Sequence, residues 1–582
     1  IHMIVPNLVP TAILHKYYAG LEAIDGFLAT QLCQSLGSQN AIMQHLIMAL
    51  SRALRNGHSC LPLADIAGQT LWSAVSDIRT GTGAAPGYTF DAFSVLMDSA
   101  QSCAITATDE APLVLDNERL YLRRYWCFEQ QVAQHLLQRM QVHPLSAAQQ
   151  MTADSLLAQL FDKSAEAQVD WQARAVEDAL VRQVSVISGG PGTGKTHTVA
   201  RLLLALQAIN DRPLSIAMAA PTGKAKQRLV ESINNAKTQL LSKGIDQSLI
   251  KSIPDAAHTL HGLLGLRPNS PGARHHKANP LAIDLLLIDE VSMVDLPMMA
   301  RLLDALPVHC KLILVGDAQQ LPSVAAGSIL ADIPPHVISY LHTSHRFKEQ
   351  SGIGVLAQQV MHNQAQESWY TLSNSEDLSL IADSEFEAWL EHMCDQHFVP
   401  MLKAKTLNEA FACLNQFRIL AATRQGDLGI EGLNTQVERL LSRRLSQVRL
   451  AQNYHGKPVM VTKNNHALGL FNGDIGIMWQ TEKGALDVCF LQATEVRKVD
   501  AGLLQDLDAV YAMTIHKTQG SEFEHVALVV APEAERLLSS QLLYTAITRA
   551  KTTCSVKVSK PVWCKAVANK TQRWSGLRAL LS

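Results

Sequence analysis

The sequence predicts an α/β protein built on parallel sheets, and three observations carry the prediction. An apolar run, Val184-Ser185-Val186-Ile187-Ser188, leads into a glycine-rich loop and then a helical stretch from His197 to Ala208. Apolar strand candidates and helical segments alternate over residues 165–345, the pattern of strands joined by crossover helices. One of those strands, Leu285-Leu-Leu-Ile288, ends in the acidic pair Asp289-Glu290.

The elements follow in chain order. Residues 3–112 read as a helical module. Within 21–56, Ile42, Leu46, Leu50 and Leu54 recur at four-residue spacing and Gly57 stops the pattern, as expected of a helix with one apolar face. A second helical stretch covers Phe90 to Ala100, with turn-rich sequence between. No catalytic constellation lies here; the module is either plain scaffold or, the reading preferred, a partner-docking domain. Residues 113–164 read as a linker: two strand-like runs around an Asp116-Asn117 turn, then a helix from about Trp126 to Gln141. Residues 165–350 form the first α/β unit, with strands at Val184–Ser188, Ser215–Ala219, Leu285–Asp289 and Leu312–Gly316. Residues 351–582 form a second α/β unit. Its strand-rich part, about 455–505, carries a hairpin signal at Asn472-Gly473 and reads as a small β insert.

Composition narrows the class. The 582 residues suffice for several domains, and 47% hydrophobic with 18% charged residues excludes a disordered chain. The net charge of −2 excludes a globally basic protein, so any nucleic-acid contact must be a local groove. Ten scattered cysteines without a C-x-x-C pair argue for reduced thiols and a cytoplasmic location, not a zinc site or disulfide framework. No apolar run has the length of a membrane span.

The loop is a complete G-x-x-x-x-G-K-[ST] phosphate loop: Gly189, Gly190, Pro191, Gly192, Thr193, Gly194, Lys195, Thr196. Its backbone N–H groups and the following helix N-terminus suit phosphates, so the expected ligand is ATP. Lys195 is placed on the β/γ-phosphates and the Thr196 hydroxyl on Mg²⁺. The Asp289-Glu290 pair, about 95 residues further on, is the Walker B arrangement. Asp289 would hold Mg²⁺ and Glu290 would orient or deprotonate the attacking water. The strand Leu312–Val315 runs into Gly316-Asp317-Ala318-Gln319-Gln320; Gln320 is the candidate for sensing the γ-phosphate at a strand end. Gln172, in Asp170-Trp171-Gln172, is the candidate adenine reader. Arg346 and Arg549 are candidates for stabilising the transferring phosphoryl group. Three Thr/His segments are candidate contacts to a nucleic-acid backbone: Thr222 and Lys224, Thr259 and His261, and Thr514, His516 and Thr518.

In this order, the segments Gln172, GGPGTGKT, APTGKA, TLHGLLG, LLLIDEVSMVD, LVGDAQQLPSV, SHRF, TIHKTQGSEF and YTAITRA resemble the superfamily 1 helicases, over about residues 165–556. The forms APTGKA and TLHGLLG look like the RecD branch. Gly57-His-Ser-Cys-Leu61 and Leu120-Tyr-Leu-Arg-Arg-Tyr-Trp126 are similar to N-terminal segments of the same branch. The resemblance implies two RecA-like P-loop motor domains, 165–350 and 351–582, with ATP and Mg²⁺ in the cleft between them. It implies an SH3-like fold for the β insert and a short strand-separating hairpin at about 266–282. It further implies 5′→3′ movement on single-stranded DNA from duplex ends, RecB-type and RecC-type partner subunits, and a role in double-strand break repair and homologous recombination. Nuclease activity is not expected from this chain. The longer stand-alone RecD2-type helicases carry hairpin repeats before the motor. No such run is seen here, which favours a complex subunit over independent action.

Overall fold

The computed structural model describes residues 17–582 except 75–83, 104, 109, 162–168, 268–271, 344–350, 451, 466, 483 and 493–494. Its centre is a six-stranded, all-parallel sheet. The spatial order is Ile338–Leu341, Val184–Gly189, Lys311–Gly316, Leu285–Ile288, Ile216–Ala220 and His258–Thr259. Leu314 pairs with both Val186 and Ile288, so the strand before the phosphate loop and the strand before the acidic pair flank a single neighbour in register. Leu285, Leu286, Leu287 and Ile288 are completely buried. That is why this strand reads as a continuous apolar run: helices cover both faces of the sheet. Three loops with chemistry therefore leave the same end of adjacent strands, where open α/β sheets bind ligands.

The second unit repeats the plan with five parallel strands, in the order Leu378–Leu380, Ala550–Lys557, Phe523–Val529, Phe417–Ala421 and Ala512–Thr514. Between its strands is inserted a five-stranded antiparallel sheet, Pro458–Val461 to Leu507–Ala509. The Asn472-Gly473 turn joins its first two strands, and Gly473 takes the left-handed φ of 96° that the turn requires. In the Arg267–Pro280 stretch, part of which lies outside the described residues, His276 and Asn279 exchange both backbone hydrogen bonds across a tight turn.

The N-terminal domain differs from the expected outline in one way. Residues 21–56 are helical as expected, in two helices, Ala23–Ser35 and Ala41–Arg55, because Gly37 turns left-handed and Asn40 caps the second helix, accepting from Ile42 N at 2.9 Å. The hairpin Leu113–Asp116 and Arg119–Leu122 is not a linker. It pairs with Leu61–Pro62 to complete a three-stranded sheet of this domain. The next helix, Arg123–Arg139, leaves that domain and packs on the first motor sheet's helix Leu296–Ala305; its buried Arg139 donates to the carbonyls of Leu306 and Pro307.

The C-terminal segment ties the domains together. Arg573 donates to the carbonyls of Ser323, Ala325 and Gly327, in the loop that follows the strand Lys311–Gly316. Trp574 stacks on His58 with ring centroids 4.3 Å apart, and its backbone N–H donates to His58 Nδ1 at 2.8 Å. Buried Glu129 accepts from Ser59, Ser575 and the backbone N–H of Gly576. Gly57 has φ 87°, and a Cβ there would lie 2.6 Å from the anchored Arg573 guanidinium. Gly57→Ala combines left-handed backbone strain with that clash. It is expected to destabilise the native state by about 2 kcal/mol, read as a lower urea midpoint.

Candidate functional site at the cleft between the sheets

The phosphate loop is shaped by its glycines. Gly192 and Gly194 have φ of 79° and 81°, values a side chain would resist. Gly194 is the cap of the helix Lys195–Ala208 and lets the chain turn directly into it. Lys195 Nζ folds back onto the loop, donating to Gly189 O at 2.6 Å and Gly190 O at 3.0 Å. An ammonium resting on two loop carbonyls, at a glycine-rich turn into a helix N-terminus, fits a phosphate cradle. Thr193 Oγ1 braces the loop through Gly190 O at 2.9 Å. Gln172 lies against the loop: its Nε2 donates to Thr193 O at 3.1 Å and its Oε1 accepts from Arg201 at 2.9 Å. Its amide supports the cradle in this state, and reading adenine would require those bonds to be exchanged.

Asp289 ends its strand in the core, its Oδ1 accepting from Glu290 N at 2.8 Å. Burial, then the Glu290 charge beside it, pushes the Asp289 carboxyl up to about 7, while Lys195 works in the opposite direction. A half-buried carboxylate at a strand end beside the phosphate loop suits a divalent cation, and Mg²⁺ takes only one or two protein oxygens beside waters and phosphates. Thr196 and Asp289 are the protein groups that would hold it. Glu290 adopts φ 53°, ψ 42°, a left-handed conformation unusual for a glutamate. Such stored strain is characteristic of side chains held for function. A Cβ on Gly520 of the second unit would lie 3.9 Å from Glu290 Oε1, so a loop of the second sheet passes over this carboxylate.

Arg549 arrives from that second unit. It is 3% exposed, its Nε donating to Thr545 O at 3.0 Å and its Nη1 to Ser521 O at 3.2 Å. Burial pulls its pKa down; the charges of Glu290 and Glu522 oppose that. The predicted partner Arg346 lies outside the described residues. Gln320 is 7% exposed, its Nε2 donating to Asp317 Oδ2 at 3.1 Å. Its Oε1 is buried without a hydrogen bond, an amide held beside the phosphate loop with one end open.

The nucleic-acid candidates separate. Thr222 and Thr259 are helix N-caps, their hydroxyls accepting from Ala225 N at 3.2 Å and Gly262 N at 3.1 Å. Their hydroxyl hydrogens stay free to donate. His261 and His516 are exposed, and Thr514 is partly so. Thr518 is a correction: it is completely buried and its hydroxyl donates to Ile515 O at 2.6 Å, closing a short 3₁₀ turn. It shapes the loop and does not face a strand. Half-buried Lys224 is pulled down to about 7, by burial first and then by the neighbouring Arg228, Arg418 and Arg549; Asp474 of the β insert opposes them. Arg418 and Arg549 are buried and Arg228 lies 4.0 Å from Glu522, so Lys224 and Arg228, both partly exposed, are the cations of this cluster that could meet a polyanion.

Sequence reasoning passed over Asp317 and Tyr544. Asp317, 2% exposed, accepts from Gln320 and, at 3.0 Å, from the Tyr544 hydroxyl of the second unit. Nearby, Leu321 N donates to Thr545 Oγ1 at 3.0 Å and Gln519 Nε2 to Leu321 O at 2.8 Å. The motif strings held both residues, but only the folded chain shows that they meet.

A phosphate cradle and acidic pair on one parallel sheet, with an arginine brought over them from a second, define an ATP-dependent motor of the superfamily 1 helicase class. Comparison with known proteins agrees. Residues 172–326 match an AAA domain model, residues 509–556 a UvrD-like helicase C-terminal domain, and residues 19–121 the N-terminal domain of RecBCD enzyme subunit RecD. The RecBCD enzyme subunit RecD of Mycolicibacterium smegmatis is 35% identical over 98% of this chain and 99% of its own length. That of Haemophilus influenzae is 34% identical over 81% of each chain. The ATP-dependent RecD2 DNA helicase of Deinococcus radiodurans is 30% identical over 69% of this chain and 50% of its own. The chain belongs to the RecBCD subunit RecD family.

Proposed function

We propose that this chain is the 5′→3′ single-stranded DNA translocase and helicase subunit of a RecBCD-type complex, using ATP and Mg²⁺ at duplex DNA ends during double-strand break repair and homologous recombination. The observation that carries this reading is that the second unit closes on the acidic pair: its Gly520 loop lies against Glu290, and its buried Arg549, bonded to Ser521 of that loop, is within range of the Glu290 charge. When bound, the Mg²⁺–nucleotide supplies the phosphoanhydride and its counter-charge. Lys195 exchanges its bonds to Gly189 and Gly190 carbonyls for phosphate oxygens. Glu290 orients a water for in-line attack and accepts its proton. Arg549 stabilises the charge that develops on the γ-phosphoryl oxygens, which it can do only when the second unit is seated on the first. Hydrolysis and inter-sheet closure are thereby one event. A strand lying along the Lys224, His261 and His516 surfaces would be moved by it.

The antiparallel insert is read as the SH3-like subdomain of this family and the His276–Asn279 turn as a short strand-separating hairpin. Docking to RecB-type and RecC-type subunits in the cytoplasm is assigned to the N-terminal domain, whose helix Ala23–Ser35 exposes Ile24 and Phe27 to 53% and 58%. Among the described residues no helix is long and apolar enough to cross a membrane. The test is unwinding by the chain assembled with its RecB-type and RecC-type subunits, with the Lys195→Gln assembly as the background to be subtracted. Duplexes with a 5′ single-stranded tail are expected to be opened and those with a 3′ tail left closed. The reverse preference would refute the assigned polarity.

A further inference from the structure

We infer that Tyr544 is a positioning residue for ATP hydrolysis: it holds the Asp317–Gln320 pair beside the phosphate loop and links it mechanically to the second sheet. The inference rests on the ATPase reading above and concerns a group that reading does not use.

Four observations converge. The Tyr544 hydroxyl donates across the cleft to Asp317 Oδ2 at 3.0 Å, the same oxygen that accepts from Gln320 Nε2 at 3.1 Å. Asp317 Oδ1 is also engaged, by Gln319 N at 2.9 Å, so the carboxylate is held at both oxygens. Gly190 stands at an open position of the phosphate-loop motif, where any residue is compatible with the pattern. Here a Cβ would lie 2.8 Å from the Tyr544 hydroxyl, so the glycine makes room for a residue of the other domain. Finally, Gln320 Oε1 is buried without a partner, which leaves the amide's orientation to its Nε2 bond to Asp317.

The physical consequence is a three-group relay. A buried amide with one free end would rotate among several orientations; the Tyr544–Asp317 bond selects one. The helix Ser540–Ile547 that carries Tyr544 also offers Thr545 Oγ1 to Leu321 N, and it leads directly into Arg549. When a γ-phosphate oxygen draws Gln320, Asp317 transmits the displacement to Tyr544 and so to the helix that positions the arginine. The Tyr544 hydroxyl is committed to Asp317, so its effect is expected on turnover and not on ATP capture.

The test is a double-mutant cycle on single-strand-stimulated ATP turnover with Tyr544→Phe, Asp317→Ala and the pair, alongside wild type and Lys195→Gln. A hydrogen bond to a charged acceptor is typically reflected in about a tenfold change. We expect kcat to fall about tenfold in each single variant, KM for ATP to stay within about twofold, and the double variant to be no slower than the worse single one. A merely structural tyrosine would lower the thermal midpoint and leave kcat unchanged at 25 °C; that result, or losses that multiply in the double variant, would overturn the inference. If Tyr544→Phe does not fold, Asp317→Ala alone must show the fall in kcat at constant KM. A wild-type chain without strand-stimulated turnover refutes the ATPase reading itself, whereas an active wild type matched by Tyr544→Phe refutes only the relay.

Discussion

Replacing Lys195 by glutamine is expected to lower ATP turnover about 10³-fold or more and to abolish unwinding. The ammonium that rests on Gly189 and Gly190 carbonyls is the mobile cation of the loop. Glutamine keeps most of the length and a donor but loses the charge that must meet phosphate oxygens. Folding should be preserved, because Lys195 makes its hydrogen bonds to loop carbonyls and its helix begins at the Gly194 turn. A phosphate-release assay with saturating single strand measures the loss. Turnover within tenfold of wild type would remove the loop from the chemistry.

The second large effect is expected at Arg549. Arg549→Lys should lower kcat about 10³-fold, equivalent to about 4 kcal/mol of transition-state stabilisation, while ATP affinity changes by only a few-fold. Lysine preserves the charge but cannot span the site as a planar fork. The wild-type guanidinium is already held by Thr545 O and Ser521 O, with further N–H groups left to aim at the cleft. Equilibrium binding of a fluorescent ATP analogue, set beside turnover, separates the two. A loss confined to affinity would mean that Arg549 binds nucleotide and does not stabilise the transferring group.

What could be read before the fold was known follows a physical division. The phosphate loop and the acidic pair are contiguous patterns whose neighbours announce a strand and a helix, so Gly189–Thr196 and Asp289-Glu290 were legible as parts of a site. The Asp317–Tyr544 bond joins residues far apart in sequence, and no local pattern encodes it. The hairpin 113–122 was misplaced for the same reason: its partner is the two-residue strand Leu61–Pro62, too short for any periodicity. Thr518 was misread because a hydroxyl in a Thr/His-rich loop looks alike whether it faces a phosphate or closes a 3₁₀ turn. Gln172 was placed by type; its amide lies against the helix cap, where a Cβ on Gly194 would run into its Nε2, and it bonds the loop at Thr193 O. The N-terminal Gly57-His58-Ser59 segment resembled a family motif without a physical role. The fold supplies one, since all three residues meet the C-terminal segment.

The central claim is that the nucleotide site is completed by the second sheet and that a DNA strand in the cleft governs its completion. The most direct measurement is steady-state ATP turnover by the full chain with and without a single-stranded oligonucleotide. The account predicts a saturable rise of about tenfold or more, carried by kcat and absent in Arg549→Lys. Equal turnover with and without the strand, or stimulation that survives Arg549→Lys undiminished, would contradict it.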